Sequence, residues 1–117
     1  MTRKAAPILL LLLLSSCAHN WTRSDTYRQA AVIGLEIIDW RQTRYIANHP
    51  REYYEMNPIL GEHPSPGRVN TYFATMIAAN VAVTALLPPP YRAWLQYISI
   101  GTQGFVVIHN FDAGIGF

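Results

Sequence analysis

From Val69 to Phe111 the chain carries one formal charge, Arg92, and Pro88-Pro89-Pro90 cuts this run just before it. Uncharged stretches on either side of a triple proline predict two apolar helices. The first opens at Asn70 or Thr71 and runs to Leu87, and the second covers about Tyr91 to His109. Ala74, Ala78 and Ala82 recur every four residues in the first, a small-residue ridge that predicts close packing on another helix or on a second copy. The remaining charges are Arg3 and Lys4 at the start, a group between Arg23 and Arg68, and Asp112 near the end. A chain of 117 residues, half apolar and 14% charged, is one small domain and not a disordered segment. Its single cysteine excludes a disulfide-stapled scaffold and a Cys-rich zinc module.

The first residues read as an export signal. Arg3 and Lys4 precede the apolar run Ile8 to Leu14, and Leu14-Ser15-Ser16-Cys17 places small residues before the cysteine. The pattern resembles the lipobox of bacterial lipoproteins. That resemblance implies export, cleavage before Cys17, and acylation of Cys17 with palmitate-type chains. Residue Ala18, in place of Asp, resembles outer-membrane sorting. Seven apolar residues are too few to span a hydrocarbon core that takes roughly 20 helical residues. The expected organisation is a signal at 1–16, a lipidated tether at 17–25 and a helical domain at 26–117. Without Arg3 and Lys4, seven arginines balance seven acids, so no basic surplus remains for nucleic acid.

The charged part predicts a first long helix from about Thr26 to Asn48, capped by Ser24 or Asp25 and stopped by Asn48-His49-Pro50. On a helical wheel Val32, Glu36, Asp39 and Thr43 form one stripe, with apolar residues over much of the rest, so most of this helix is expected to be buried. Arg51 to Met56 could add a short helical turn. The loop from Asn57 to Arg68 is punctuated by Pro58, Gly61, Pro64, Pro66 and Gly67. The expected fold is all-α: a three-helix bundle with a proline-rich loop between helices one and two.

The two apolar helices could instead cross a bilayer, with Tyr72, Tyr91, Trp94 and Tyr97 as interfacial aromatics. Asn70, Asn80, Gln96, Ser99, Gln103, His109 and Asn110 interrupt them, and export to an outer membrane forbids a strong span. The sequence reading therefore prefers a lipid-anchored, periplasm-facing bundle to an integral inner-membrane hairpin.

Three strings carry a family resemblance: Asp39-Trp40-Arg41-Gln42-Thr43-Arg44, Glu55 to Ser65 and Val69-Asn70-Thr71-Tyr72-Phe73. They resemble a family of small bacterial and phage proteins with D-x-x-Q-T and E-x-N-P-x-L-G-x-H-P-S motifs followed by two apolar helices. The resemblance covers Trp21 to Phe117 and implies kinship without a named activity. Phage lysis or superinfection exclusion would be roles given by genetic context alone.

The motif residues predict a polar network of Asp39, Gln42, Thr43, Arg44, Glu55, Asn57, His63 and Asn110, structural or binding in role, with Glu55 reaching Arg41, Arg44 or the amides of the loop. A sharper chemistry would pair Glu36 with Asp39, or Asp39 with Glu55, for glycan cleavage in the cell wall. No nucleophile motif or phosphate-binding glycine loop accompanies them, and no cofactor is expected. His49, Glu52, Glu55 and His63 lack the spacing of a zinc site, and His49 and His63 are expected on solvated turns. Tyr53 and Tyr54 beside Arg51 close the bundle end or stack on a partner. The expected function is that of a small envelope lipoprotein that binds another envelope component and is not an enzyme.

Overall fold

The computed structural model describes residues 20–117. The signal segment, Cys17 and residues Ala18 and His19 of the tether lie outside the described residues.

Three helices make a bundle: α1 Arg23–Asn48, α2 Pro66–Leu86 and α3 Pro89–Asp112. Helix α1 begins three residues before the expected start. Thr22 and Asp25 form a reciprocal capping box, so Asp25 serves as the third helical residue and Ser24 does not cap. It ends at His49 as expected, where the ring of His49 stacks on Tyr45 at 4.0 Å and bonds its carbonyl, so this histidine is half-buried and not on a solvated turn.

The start of α2 differs more. Ser65 accepts a hydrogen bond from the Arg68 amide and Pro66 occupies the first turn, four residues ahead of the expected Asn70. Proline at the first helical position loses no intrahelical bond, so a residue that punctuates a loop elsewhere opens a helix here. The same holds at Pro89 and Pro90, which begin α3. No helical turn forms over Arg51 to Met56; a hydrogen-bonded turn at residues 50–52 leads into extended chain.

The chain runs up, down and up. Near the start of α1, Asp25 meets Arg92 at the start of α3, and Trp40 near its end meets Asn70 at the start of α2. Helix α1 holds both partners, whereas α2 and α3 touch each other little. They join at the proline turn and through Asn80 Nδ2, which donates to Ser99 Oγ at 3.2 Å, and diverge towards the loop end. A small apolar core of Leu60, Val69 and Phe73, backed by Trp40, Ala47 and Tyr72, pins the loop to α1 and α2. Trp40 stacks on Phe73 at 6.1 Å.

The expected stripe Val32, Glu36, Asp39 and Thr43 is the buried face of α1, together with Asp25, Gln29, Gln42 and Ile46. The opposite face, with Ala30, Ala31, Gly34 and Ile37, is exposed, so the expectation of a mostly buried helix is corrected to a one-sided one. Ala74 and Ala78 also face outward and only Ala82 is half-buried, so most of the alanine ridge is turned away from the neighbouring helices. Across the described residues ten polar or charged side chains are buried against eight apolar ones. Large apolar side chains lie outside, including Met76, Val83, Trp94, Tyr97, Ile98, Phe105 and Ile108. The usual polarity of a bundle is reversed.

Candidate functional site

Where α2 and α3 diverge, a cavity of about 750 Å³ opens against α1. Glu36, Asp39 and Thr43 come from α1, Phe73 and Met76 from α2, Gln103, Phe105 and Asn110 from α3, and Tyr53 to Asn57 from the loop. The spacing of Glu36, Asp39 and Thr43 puts all three on one helical face, and the wedge between the other helices exposes that face to the cavity. Thr43 Oγ1 donates to Asp39 Oδ1 at 3.3 Å. Glu36 Oε2 and Gln103 Oε1 are buried with no hydrogen-bond partner among the described residues.

The predicted network divides into separate parts. Gln42, fully buried, donates to the Val107 carbonyl and accepts from Asn110 Nδ2 at 3.0 Å, joining α1 to α3. The Asn110 carbonyl accepts from Ile115 and holds the C-terminal tail. Arg44 and His63 are exposed and take no part, because the loop packs on α1 through Leu60 and not through its charges. Of the donors expected for Glu55, its carboxylate meets a loop amide, accepting from Asn57, and bonds neither Arg41 nor Arg44.

The E-x-N-P-x-L-G-x-H-P-S motif is a self-capped turn. Asn57 Oδ1 accepts from the Ile59 amide at 2.9 Å, Asn57 Nδ2 donates to the Tyr72 hydroxyl at 2.9 Å, and the Asn57 carbonyl accepts from Gly61. Gly61 takes φ +82°, a conformation that favours glycine. Leu60 fills the core, Pro64 is buried, and Ser65 caps α2. Each conspicuous motif position except Pro58 and His63 thus has a backbone or packing duty, the Glu62 carbonyl accepts from the Glu55 amide, and Glu55 also faces the cavity.

Burial pushes the Glu55 carboxyl above its ordinary value, although amide donors at Asn57 and Met56 hold it down in part. A carboxyl raised in the folded state contributes fully below its unfolded value, and that contribution is lost as pH rises through the raised one. Melting followed between about pH 4 and 8 should show this decline in the native chain and a flatter profile in Glu55→Gln, whose amide oxygen still accepts from Asn57.

A second polar cluster joins all three helices near the other end. Arg92, 1% exposed, donates to Asp25 Oδ2 at 3.2 Å and to the carbonyls of Thr84, Ala85 and Asn20. Arg28 pairs with the other Asp25 oxygen and donates to Gln96 at 2.8 Å. Gln96 donates to the Asp25 carbonyl and to Gln29, which donates to Asn80 at 3.0 Å. The sequence reading missed this cluster. Gln96, Asn80 and Ser99 were read there only as interruptions of apolar helices, and the one signal was a lone arginine with three amide-bearing residues at helical spacing.

Among the described residues no group of three His, Cys, Asp or Glu side chains could hold a metal ion. His109 is exposed beside Phe105, with its carbonyl accepting from Ala113. No protein-family model, curated protein or solved structure matches the chain.

Proposed function

We propose that this chain is a small integral helical protein of a bacterial inner membrane, tethered also by a lipid on Cys17, that acts by binding and not by catalysis. The observation that carries the reading is the reversed polarity of the bundle. Buried Asp25, Gln29, Gln42, Arg92, Gln96 and Asn110 satisfy one another inside, while tryptophan, isoleucine and phenylalanine side chains face out. In water this exposes a large apolar surface; in a bilayer the same surface is solvated. The reading puts the integral alternative ahead of the water-exposed bundle that the sequence favoured.

Dimensions and charge support it. Helix α2 is long and apolar enough to cross a membrane. At 1.5 Å per residue its 21 residues extend about 31 Å, close to a hydrocarbon thickness of about 30 Å. Exposed Tyr27, Tyr91 and Trp94 gather at the Arg92 end, as interfacial aromatics do. Arg41, Arg44, Arg51 and Arg68 are exposed at the loop end, whereas at the other end only Arg23 is exposed and Arg28 and Arg92 are engaged with Asp25. The excess of exposed arginines orients the loop to the cytoplasm and the Cys17 end to the periplasm, where lipidation occurs. Exposed Tyr54, Met56 and Ile59 keep the loop as a surface for another envelope component. Glycan cleavage has less support, because the acids share their cavity with apolar Ile46, Phe73, Met76, Phe105 and Val106 and no nucleophile motif accompanies them.

Alkaline carbonate extraction tests the proposal. The Cys17→Ser chain should stay in the membrane pellet, and the native chain should also take up labelled palmitate. Release of Cys17→Ser into the supernatant would return the protein to a water-exposed, lipid-anchored bundle.

A further inference from the structure

The cavity between α2 and α3 holds buried acceptors that no donor among the described residues reaches. Glu36, 6% exposed, lines it with Oε2 unpartnered, and the unpartnered Gln103 Oε1 belongs to the facing helix. Among the described residues Asp39 accepts only from Thr43. Glu52 and Glu55 add two carboxylates, and no lysine or arginine is among the lining residues. A buried acceptor left unmade is costly, so this arrangement suits an occupant that brings N–H donors and positive charge together. The walls suit something else. Ile46, Phe73, Met76, Phe105 and Val106 line the same space, and a cavity of about 750 Å³ is large enough for a chain of many carbons as well as a head group.

We propose that this cavity binds a primary ammonium carried on an apolar chain, with the head group against Glu36, Asp39 and Gln103 and the chain along Phe73, Met76 and Phe105. The two kinds of lining select for both parts of such a molecule. A phosphate beside the ammonium would stand among the carboxylates, so a simple long-chain amine fits better than a zwitterionic lipid head. A quaternary ammonium keeps the charge but has no N–H for the Glu36 and Gln103 oxygens. The wedge closes at the Asn80–Ser99 hydrogen bond and widens towards the loop, so the chain leaves between α2 and α3. That exit rests on the membrane reading, because it places the emerging carbons in lipid.

The test uses the full chain purified in a nonionic detergent and titrated with dodecylammonium below its micellar concentration. A saturable rise in melting temperature is expected, with apparent affinity falling at least tenfold in Glu36→Gln combined with Asp39→Asn. Gln103→Leu, which leaves both acids in place, should weaken it several-fold and guards against a fold lost in the double variant. Dodecyltrimethylammonium should bind more weakly, and dodecanol, spermidine and phosphatidylethanolamine should give no saturable shift. An equal response to dodecanol would mean a chain-binding cavity indifferent to charge, and an equal response in the variants would mean partition into the micelle. Either overturns the inference, as does the absence of any shift. A chain that stays in the carbonate pellet yet ignores the amine refutes this inference alone; one that is extracted refutes the membrane reading, whatever it binds.

Discussion

Arg92→Met is expected to cost about 3–5 kcal/mol of stability, because removing one partner of a buried pair leaves the other charge and its neighbours uncompensated. Arg92 serves four acceptors at once: Asp25, two carbonyls from the last turn of α2 and the carbonyl of Asn20. Helix α2 has no basic residue in its own last turn, so Arg92 from the next helix supplies the positive group that those carbonyls favour. Methionine fills the space and offers no donor. Asp25 keeps Arg28, which limits the loss at that carboxylate but not at the carbonyls. Arg92→Lys should recover only part of it, since an ammonium lacks the planar fork that reaches Asp25 and Thr84 together. Unfolding by a denaturing detergent, followed by circular dichroism, measures the effect. The exposed Arg23→Met serves as the control and should stay within about 0.5 kcal/mol of the native chain.

Ile98→Lys separates lipid from water more sharply. Ile98 lies midway along α3 and is 65% exposed. On a protein in water, an exposed isoleucine changed to lysine alters stability by no more than about 0.5 kcal/mol and improves solubility. On a face in contact with hydrocarbon the same change is expected to cost about 2.5–3.5 kcal/mol at the centre of the span. Tyr54→Lys in the loop, also exposed, should be tolerated in either environment. Reduced membrane yield and stability of Ile98→Lys beside a normal Tyr54→Lys is the expected result. Equal behaviour of the two would mean that α3 faces water.

The three helices and their proline breaks were legible because proline and uncharged length act locally. The stripe Val32, Glu36, Asp39 and Thr43 was legible too, because helical periodicity places those residues together whatever surrounds them. Which medium meets the other face was not legible, since an apolar helix reads alike in a core and in a bilayer. The alanine ridge illustrates this: its spacing allowed close packing, and the structure turns most of it outward. Asp25 and Arg92 lie 67 residues apart, so no local pattern joins them. In the loop, charge allowed Glu55 to reach Arg41 or Arg44 as readily as the loop amides. The Asn57 turn and the burial of Leu60 decided for the amides, because backbone donors near Glu55 are closer than side chains on another element.

The clasp at Asp25 has a consequence for biogenesis. Stripped of α1, the hairpin of α2 and α3 would take a bare guanidinium and several amides into hydrocarbon, with only itself to satisfy them. A truncated chain would therefore reach the cell's quality control as a failed insertion and not as a smaller working protein. Trimming from the amino side should be ruinous once Asp25 is gone.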